Sequence, residues 1–235
     1  MTNPTTPPAG SPVYLSGPMF SAADLWQQQA IATTLEGAGY ATYLPQRDGI
    51  EVGNVMAMVN GINQAEVDAI MQFVREIVFA MDIYQLLSRC QSVVFNMDGR
   101  VPDDGSVVEA ASAFAAGRPI VIYKTTPITM LGGKDNPMVS GLSMNWSTVS
   151  DVTKLPAAVA SAVAATAGAG GSGFTPAPHV QAVVELGEAV WGAMPEIRAV
   201  IQTDDPQKMV AEGLKLIKEW AAQIKAAYPQ APSSR

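Results

Sequence analysis

The chain has 235 residues, 48% apolar and 15% charged, which suits one good-sized core, with or without an appendage, rather than a disordered polypeptide. Fourteen basic residues stand against 21 acidic ones, a net charge of −7, and that balance disfavours a binder of nucleic-acid backbone, which needs clustered Lys and Arg. The single cysteine, Cys90, excludes internal disulfides and Cys-based zinc sites and suits a reducing compartment. No apolar run is long enough for a membrane span, and the N-terminus lacks the basic start and apolar stretch of a secretory leader, so a soluble, cytoplasmic protein with no membrane partner is expected.

Residues 1–12 are rich in Pro, Thr and Ser and predict a flexible tail. Pro12 to Pro18, PVYLSGP, predicts a short strand stopped by Gly17-Pro18. Ser21 is placed to cap a helix with Asp24 at its third position, and Leu25, Trp26, Ile31 and Leu35 supply its apolar stripe. Gly37 and Gly39 end that helix, and Tyr40–Pro45 is the next strand. Gln46 to Gly61, with glycines at 49, 53 and 61, predicts a partly helical loop near the site.

Residues 62–89 carry helical spacing in Ile62, Val67, Ile70, Phe73, Val74, Ile77, Val78, Met81 and Leu86, as one long helix or two nearly continuous ones. Asp82 falls in its last two turns, where the helix dipole disfavours a carboxylate. Val93–Phe95 and Ile120–Tyr123 are continuous apolar runs, typical of parallel strands buried on both faces. The alternation predicts an α/β fold, a doubly wound parallel sheet of the flavodoxin or Rossmann kind flanked by helices. Thr125 to Gly141 predicts a loop, Asn145–Ser150 an edge strand and Val152–Ala167 an Ala-rich helix starting around Pro156. Residues 167–178 read as a Gly/Pro linker between a catalytic domain of 13–166 and a C-terminal helical extension of 179–235, with helices at 179–194 and 205–228.

Three features are chemically bland in context. Gly168 to Gly173 satisfies G-x-G-x-x-G, but a helix precedes it and Thr-Pro-Ala-Pro follows, so it reads as linker. His179, the one histidine, is expected on the surface near a helix start, and Cys90 is expected to be a core thiol.

The carboxylates carry more. Asp98, Asp103, Asp104 and Glu109 lie within 12 residues at the carboxyl end of a predicted strand, where open α/β sheets bind ligands. AASAFAAG follows Glu109, so the helix that opens with it is small, apolar and buried, and a buried carboxylate needs partners or a task. A carboxylate nucleophile with a second carboxyl group as proton donor is the pair that opens glycosidic bonds with retention. A magnesium site is the competing reading of the acidic loop.

Four separated segments together resemble the nucleoside 2-deoxyribosyltransferase family over about residues 13–150: Tyr14-Leu-Ser-Gly-Pro-Met-Phe20, Asp82 ahead of Cys90, Asp103-Asp-Gly-Ser-Val-Val-Glu109, and Asn136-Pro-Met138. The resemblance implies that Tyr14 and Phe20 line a nucleoside pocket, with Ser16, Gly17 and Gly105 among the substrate contacts. It implies Glu109 as nucleophile, Asp82 at the deoxyribose or catalytic centre and Asp103 protonating the base, although the longer loop leaves Asp98, Asp103 or Asp104 to face it. Asn136 and Met138 match the segment that reaches a neighbouring subunit's site, so a dimer-based homo-oligomer with shared sites is implied. The substrates would be 2′-deoxynucleosides and free nucleobases, and neither cofactor nor metal is called for. Arg47, Asp48 and Asn96 are further pocket candidates. A hydrolase of deoxynucleoside 5′-monophosphates, with Ser16, Ser106 and Arg100 near the phosphate, is the nearest alternative. A non-catalytic nucleotide sensor is the one from a different class.

Overall fold

Five strands form a wholly parallel sheet in a computed structural model that describes residues 12–50, 55–56, 63–99, 102–129, 132–168, 173–203 and 205–228. They are β1 (Val13–Ser16), β2 (Thr42–Tyr43), β3 (Ser92–Asn96), β4 (Ile120–Tyr123) and β5 (Thr148–Val149), ordered β2-β1-β3-β4-β5. This is the flavodoxin-like order, with its switch point between β1 and β3. Every residue of β1, β3 and β4 is buried, the state expected of strands covered on both faces. Residues 1–11 of the predicted tail and 169–172 of the predicted linker lie outside the described residues.

The helices in chain order are α1 (Ala22–Gly37), α2 (Pro45–Asp48), α3 (Gln64–Tyr84), α4 (Asp104–Ala115), α5 (Pro137–Ser140), α6 (Leu155–Gly168), α7 (Pro178–Gly192), α8 (Met194–Ile201) and α9 (Pro206–Ala227). Contacts divide the chain into an α/β unit, Met1–Asp48 with Gln85–Phe174, and a helical unit, Gly49–Tyr84 with Thr175–Arg235.

In the α/β unit, Val13 and Leu15 of β1, Val94 of β3 and Val121 and Tyr123 of β4 pack against Ile31, Ala32 and Leu35 of α1 and Leu155 and Val159 of α6. The alternate residues of the same strands, Tyr14 and Ser16 among them, turn to the opposite face, because successive side chains of a strand point to opposite sides. Helix α4 packs on β1, β3 and β4.

Helix α1 opens with the predicted capping box: Ser21 Oγ accepts from Asp24 N, and Ser21 N donates to the Asp24 carboxylate. Its buried stripe is Gln28, Ile31, Ala32 and Leu35, whereas Trp26 is 75% exposed. At 3.6 residues per turn Trp26 falls well off the Ile31–Leu35 line, which Gln28 joins instead. Gly39, at φ 90, takes the left-handed position after the helix.

The helical unit has its own core. Ile70, Phe73, Val74, Ile77 and Met81 of α3 meet Val183, Leu186 and Val190 of α7, Ile197 of α8 and Met209 and Val210 of α9. After Tyr84 the chain turns more widely as a π-helical segment, Gln85–Arg89, in which Cys90 N donates to Gln85 O at 2.7 Å. The predicted helix over 62–89 is therefore an α and a π segment in succession. Among the described residues no helix is long and apolar enough to cross a membrane.

Candidate active site

Glu109 sits in the second turn of α4, which opens five residues before it, at Asp104, rather than at Glu109 itself. Asp103 is the N-cap: its Oδ2 accepts from Ser106 N and Ser106 Oγ, both at 2.7 Å. Asp104 Oδ1 accepts from Gly105 N at 2.9 Å. Two acidic side chains thus satisfy amides that the start of a helix leaves without partners.

Strand β1 meets α4 at the Glu109 carboxylate. Tyr14 Oη donates to Oε1 at 2.8 Å, and Ser16 Oγ donates to Oε2 at 2.6 Å. Ser16 Oγ also has the Ser106 carbonyl oxygen within reach at 3.2 Å. Tyr14 and Ser16 are fully buried, and Tyr14 stacks at a tilt on Tyr43 with centroids 5.3 Å apart. Burial pushes the Glu109 carboxyl up to about 7; the hydrogen bonds from Ser16 and Tyr14 pull it down, and the nearby Asp103 charge pushes it up again. The result is a half-buried carboxylate with a fixed orientation, its titration raised to about 7.

Asp98 lies on the loop after β3 and gathers four hydrogen bonds. Oδ1 accepts from Thr125 N at 2.7 Å and Thr126 N at 2.8 Å, and Oδ2 from Thr125 Oγ1 and Gln27 Nε2, both at 2.6 Å. Burial raises its pKa, but the bonds from Thr125, Thr126 and Gln27 outweigh that and hold it below the usual Asp value. Asn96 Nδ2 donates to Gln27 Oε1 at 2.8 Å, so β3, α1 and the loop after β4 are tied at the carboxyl end of the sheet. Asn96 and Val94 share the α1 side of β3, the face away from Glu109.

The remaining candidates have contacts of their own. A Cβ on Gly17 would stand 2.0 Å from Gln28 Nε2 and 2.8 Å from Asn96 Cβ, so Gly17 allows a close approach of α1. Phe20 is 86% and Met138 81% exposed. Asn136 caps α5, its Oδ1 accepting from Met138 N at 3.0 Å. Asn136 and Asp104 line one cleft of about 420 Å³ with Met97, Pro102, Val108 and Val139. Arg47 pairs with Glu36 and Asp48, each at 2.8 Å, and Asp48 accepts from Leu44 N, a network that braces α2 beside β2. Asp82 is carried by α3 in the helical unit. Arg100 lies outside the described residues, and His179 is exposed at the start of α7 as expected. Among the described residues no three His, Cys, Asp or Glu side chains converge as a metal site.

Sequence reasoning missed the supporting contacts: Ser106 with Asp103, Gln27 and Thr125 around Asp98, and the ion pair at 2.5 Å between buried Lys124 and half-buried Asp135, ahead of Asn136. Asp135 directly precedes the Asn-Pro-Met segment, and that adjacency is the one signal the sequence offered.

Residues 13–145, more than half of the 235, match the family model for nucleoside 2-deoxyribosyltransferase. The chain belongs to the nucleoside 2-deoxyribosyltransferase family. The family match takes in β1 through α5, with Tyr14, Ser16, Asp103 and Glu109, and ends before β5. A crystal structure described as a conserved protein from Enterococcus faecalis V583 is similar at 20% identity, over 64% of this chain and 98% of that one, with a TM-score of 0.47. No curated protein sequence matches the chain.

Proposed function

We propose that this chain is a nucleoside 2-deoxyribosyltransferase that moves 2-deoxyribose between nucleobases by double displacement with retention at C1′. The observation that carries the reading is the Glu109 carboxylate, half-buried, raised to about 7 and aimed by Tyr14 and Ser16. Glu109 attacks C1′ of a 2′-deoxynucleoside; the C1′–N bond breaks, its electron pair passing to the departing base, which takes up a proton. An acceptor base then attacks C1′ of the deoxyribosyl ester, loses its N–H proton and returns the carboxylate. Without a 2′-hydroxyl the oxocarbenium-like transition state forms more readily, which favours 2′-deoxy substrates.

On the family resemblance Asp103, the N-cap of the helix that carries Glu109, is proposed to contact the base and help protonate it. Asp82 is assigned to the catalytic centre, and Asn136 with Met138 to a neighbouring subunit's site, on the family resemblance; the exposure of Met138 agrees with an outward reach. On this reading the protein works as a dimer-based homo-oligomer in nucleoside salvage.

Two features favour nucleosides over 5′-monophosphates. The hydroxyls of Ser16 and Ser106 are engaged with Glu109 and Asp103, and amides at the start of α4 are capped by Asp103 and Asp104. A phosphate would need such donors free. The test is incubation with deoxyinosine and adenine: deoxyadenosine should form. Free deoxyribose and hypoxanthine alone would instead indicate a hydrolase on the same scaffold.

A further inference from the structure

The two oxygens of Glu109 are held differently. Tyr14 Oη donates to Oε1 at 2.8 Å. Ser16 Oγ donates to Oε2 at 2.6 Å and has a second acceptor, the carbonyl oxygen of Ser106, at 3.2 Å. Ser16 is fully buried, so water cannot take over when one acceptor is lost. Once an oxygen of Glu109 has bonded to carbon it becomes an ester oxygen, a much poorer acceptor than a carboxylate. A buried hydroxyl left on it would be unsatisfied at a cost comparable to a lost hydrogen bond. The hydroxyl of Ser16 has an alternative acceptor ready.

From this geometry we infer that Oε2 is the attacking oxygen of Glu109, and that Ser16 is a positioning residue which swings between Oε2 in the free enzyme and the Ser106 carbonyl in the covalent intermediate. The inference rests on the reading of Glu109 as nucleophile. In the first half-reaction a lone pair of Oε2 forms the bond to C1′ as the C1′–N bond breaks towards the base. Oε1 becomes the ester carbonyl oxygen and keeps the hydroxyl of Tyr14. In the second half-reaction the acceptor base's nitrogen bonds to C1′ and gives up its proton to the group that protonated the departing base, the C1′–Oε2 pair returns to Oε2, and the Ser16 hydroxyl rotates back to stabilise the returning negative charge. Ser16 thus favours release of the sugar more than its capture. The titratable groups acting on Glu109 here are Tyr14 from β1 and Asp103 from the cap of α4.

The test compares wild type, Ser16→Ala and Tyr14→Phe, quenched during turnover of a deoxynucleoside with an acceptor base and read by intact-protein mass. Ser16→Ala should slow the second half-reaction roughly tenfold, the order expected of one hydrogen bond to a charged oxygen, so the deoxyribosyl adduct accumulates. The acid limb of its kcat/KM profile should also move to higher pH. Tyr14→Phe should move that limb too, without adduct accumulation. Ser16→Cys keeps the shape and weakens the donor, so it should show the same directions even if Ser16→Ala folds poorly. Adduct levels equal to wild type in both Ser16 variants, or accumulation in Tyr14→Phe instead, would overturn the assignment of Oε2. A wild-type enzyme that forms no adduct and transfers no sugar would overturn the underlying reading of Glu109 as well.

Discussion

Tyr14 Oη and Glu109 Oε1 lie 2.8 Å apart although 95 residues separate them in the chain. The parallel pairing of β1 with β3 brings this about, because α4 follows β3 and returns over the face that presents Tyr14 and Ser16. Strand β1 therefore helps set the ionisation of a group on α4. An attacking carboxylate must be deprotonated, so kcat/KM should rise with pH through about 7. Tyr14→Phe removes a bond that lowers the Glu109 pKa, and its rise should come at higher pH. A pH–rate profile of the two enzymes checks this; coincident acid limbs would contradict it.

The same burial has a signature in stability. Folded Glu109 holds its proton up to about 7, whereas an unfolded chain releases it near 4.5. Between those values the folded state binds more protons than the unfolded one, so this residue's contribution to stability falls as pH rises from 4.5 to 7. Glu109→Gln, which stays neutral, should be more stable than wild type at pH 8 by on the order of 2 kcal/mol and closer to it at pH 4.5. Urea unfolding at the two pH values measures the difference, and a gap that does not widen with pH would refute the assignment.

Asp98 should be structural. Replacing it by Asn leaves one acceptor oxygen and turns an NH₂ group towards donors, so Asp98→Asn should cost roughly 2 kcal/mol in denaturant melts. Because the folded Asp98 pKa lies below 3.8, its contribution is present above that pH and is lost as pH falls below it. The penalty of the variant should therefore shrink in strong acid; a penalty independent of pH would count against this role.

In the helical unit, a Cβ on Gly187 would stand 2.0 Å from the Ala80 carbonyl oxygen and 2.6 Å from Tyr84 Cβ. Helices α3 and α7 pack backbone to backbone there. Gly187→Ala should push them apart at a cost of about 1–3 kcal/mol, with amide protection lost in α3 and α7 by hydrogen exchange. Unchanged protection in both helices would show that the contact is looser than described.

Much of the α/β unit was legible in the chain because its signals are local. The apolar runs of β3 and β4, the Ser21–Asp24 capping box and the glycines after α1 each declare themselves within a few residues. The two-residue strands β2 and β5 were drawn too long, since a short edge strand offers little periodicity. Helix α8 falls in the gap between the helices predicted at 179–194 and 205–228, and the buried face of Gln28 is hidden in the sequence because it depends on Gly17, which lies on another element. At the site, Glu109 stood out as a carboxylate among alanines. Nothing near Ser16 in sequence shows that its hydroxyl meets Glu109 93 residues away. The same holds for Asp98: Thr125 and Thr126 close around it only once β3 and β4 pair.

The central claim is the covalent role of Glu109. Wild-type protein mixed with a 2′-deoxynucleoside and no acceptor, quenched in acid and analysed by intact mass and peptide mapping, should carry one deoxyribosyl group on the peptide containing Glu109. Glu109→Ala should carry none and should transfer no sugar. An adduct that persists in Glu109→Ala, or sugar transfer by that variant at the wild-type rate, would contradict the account.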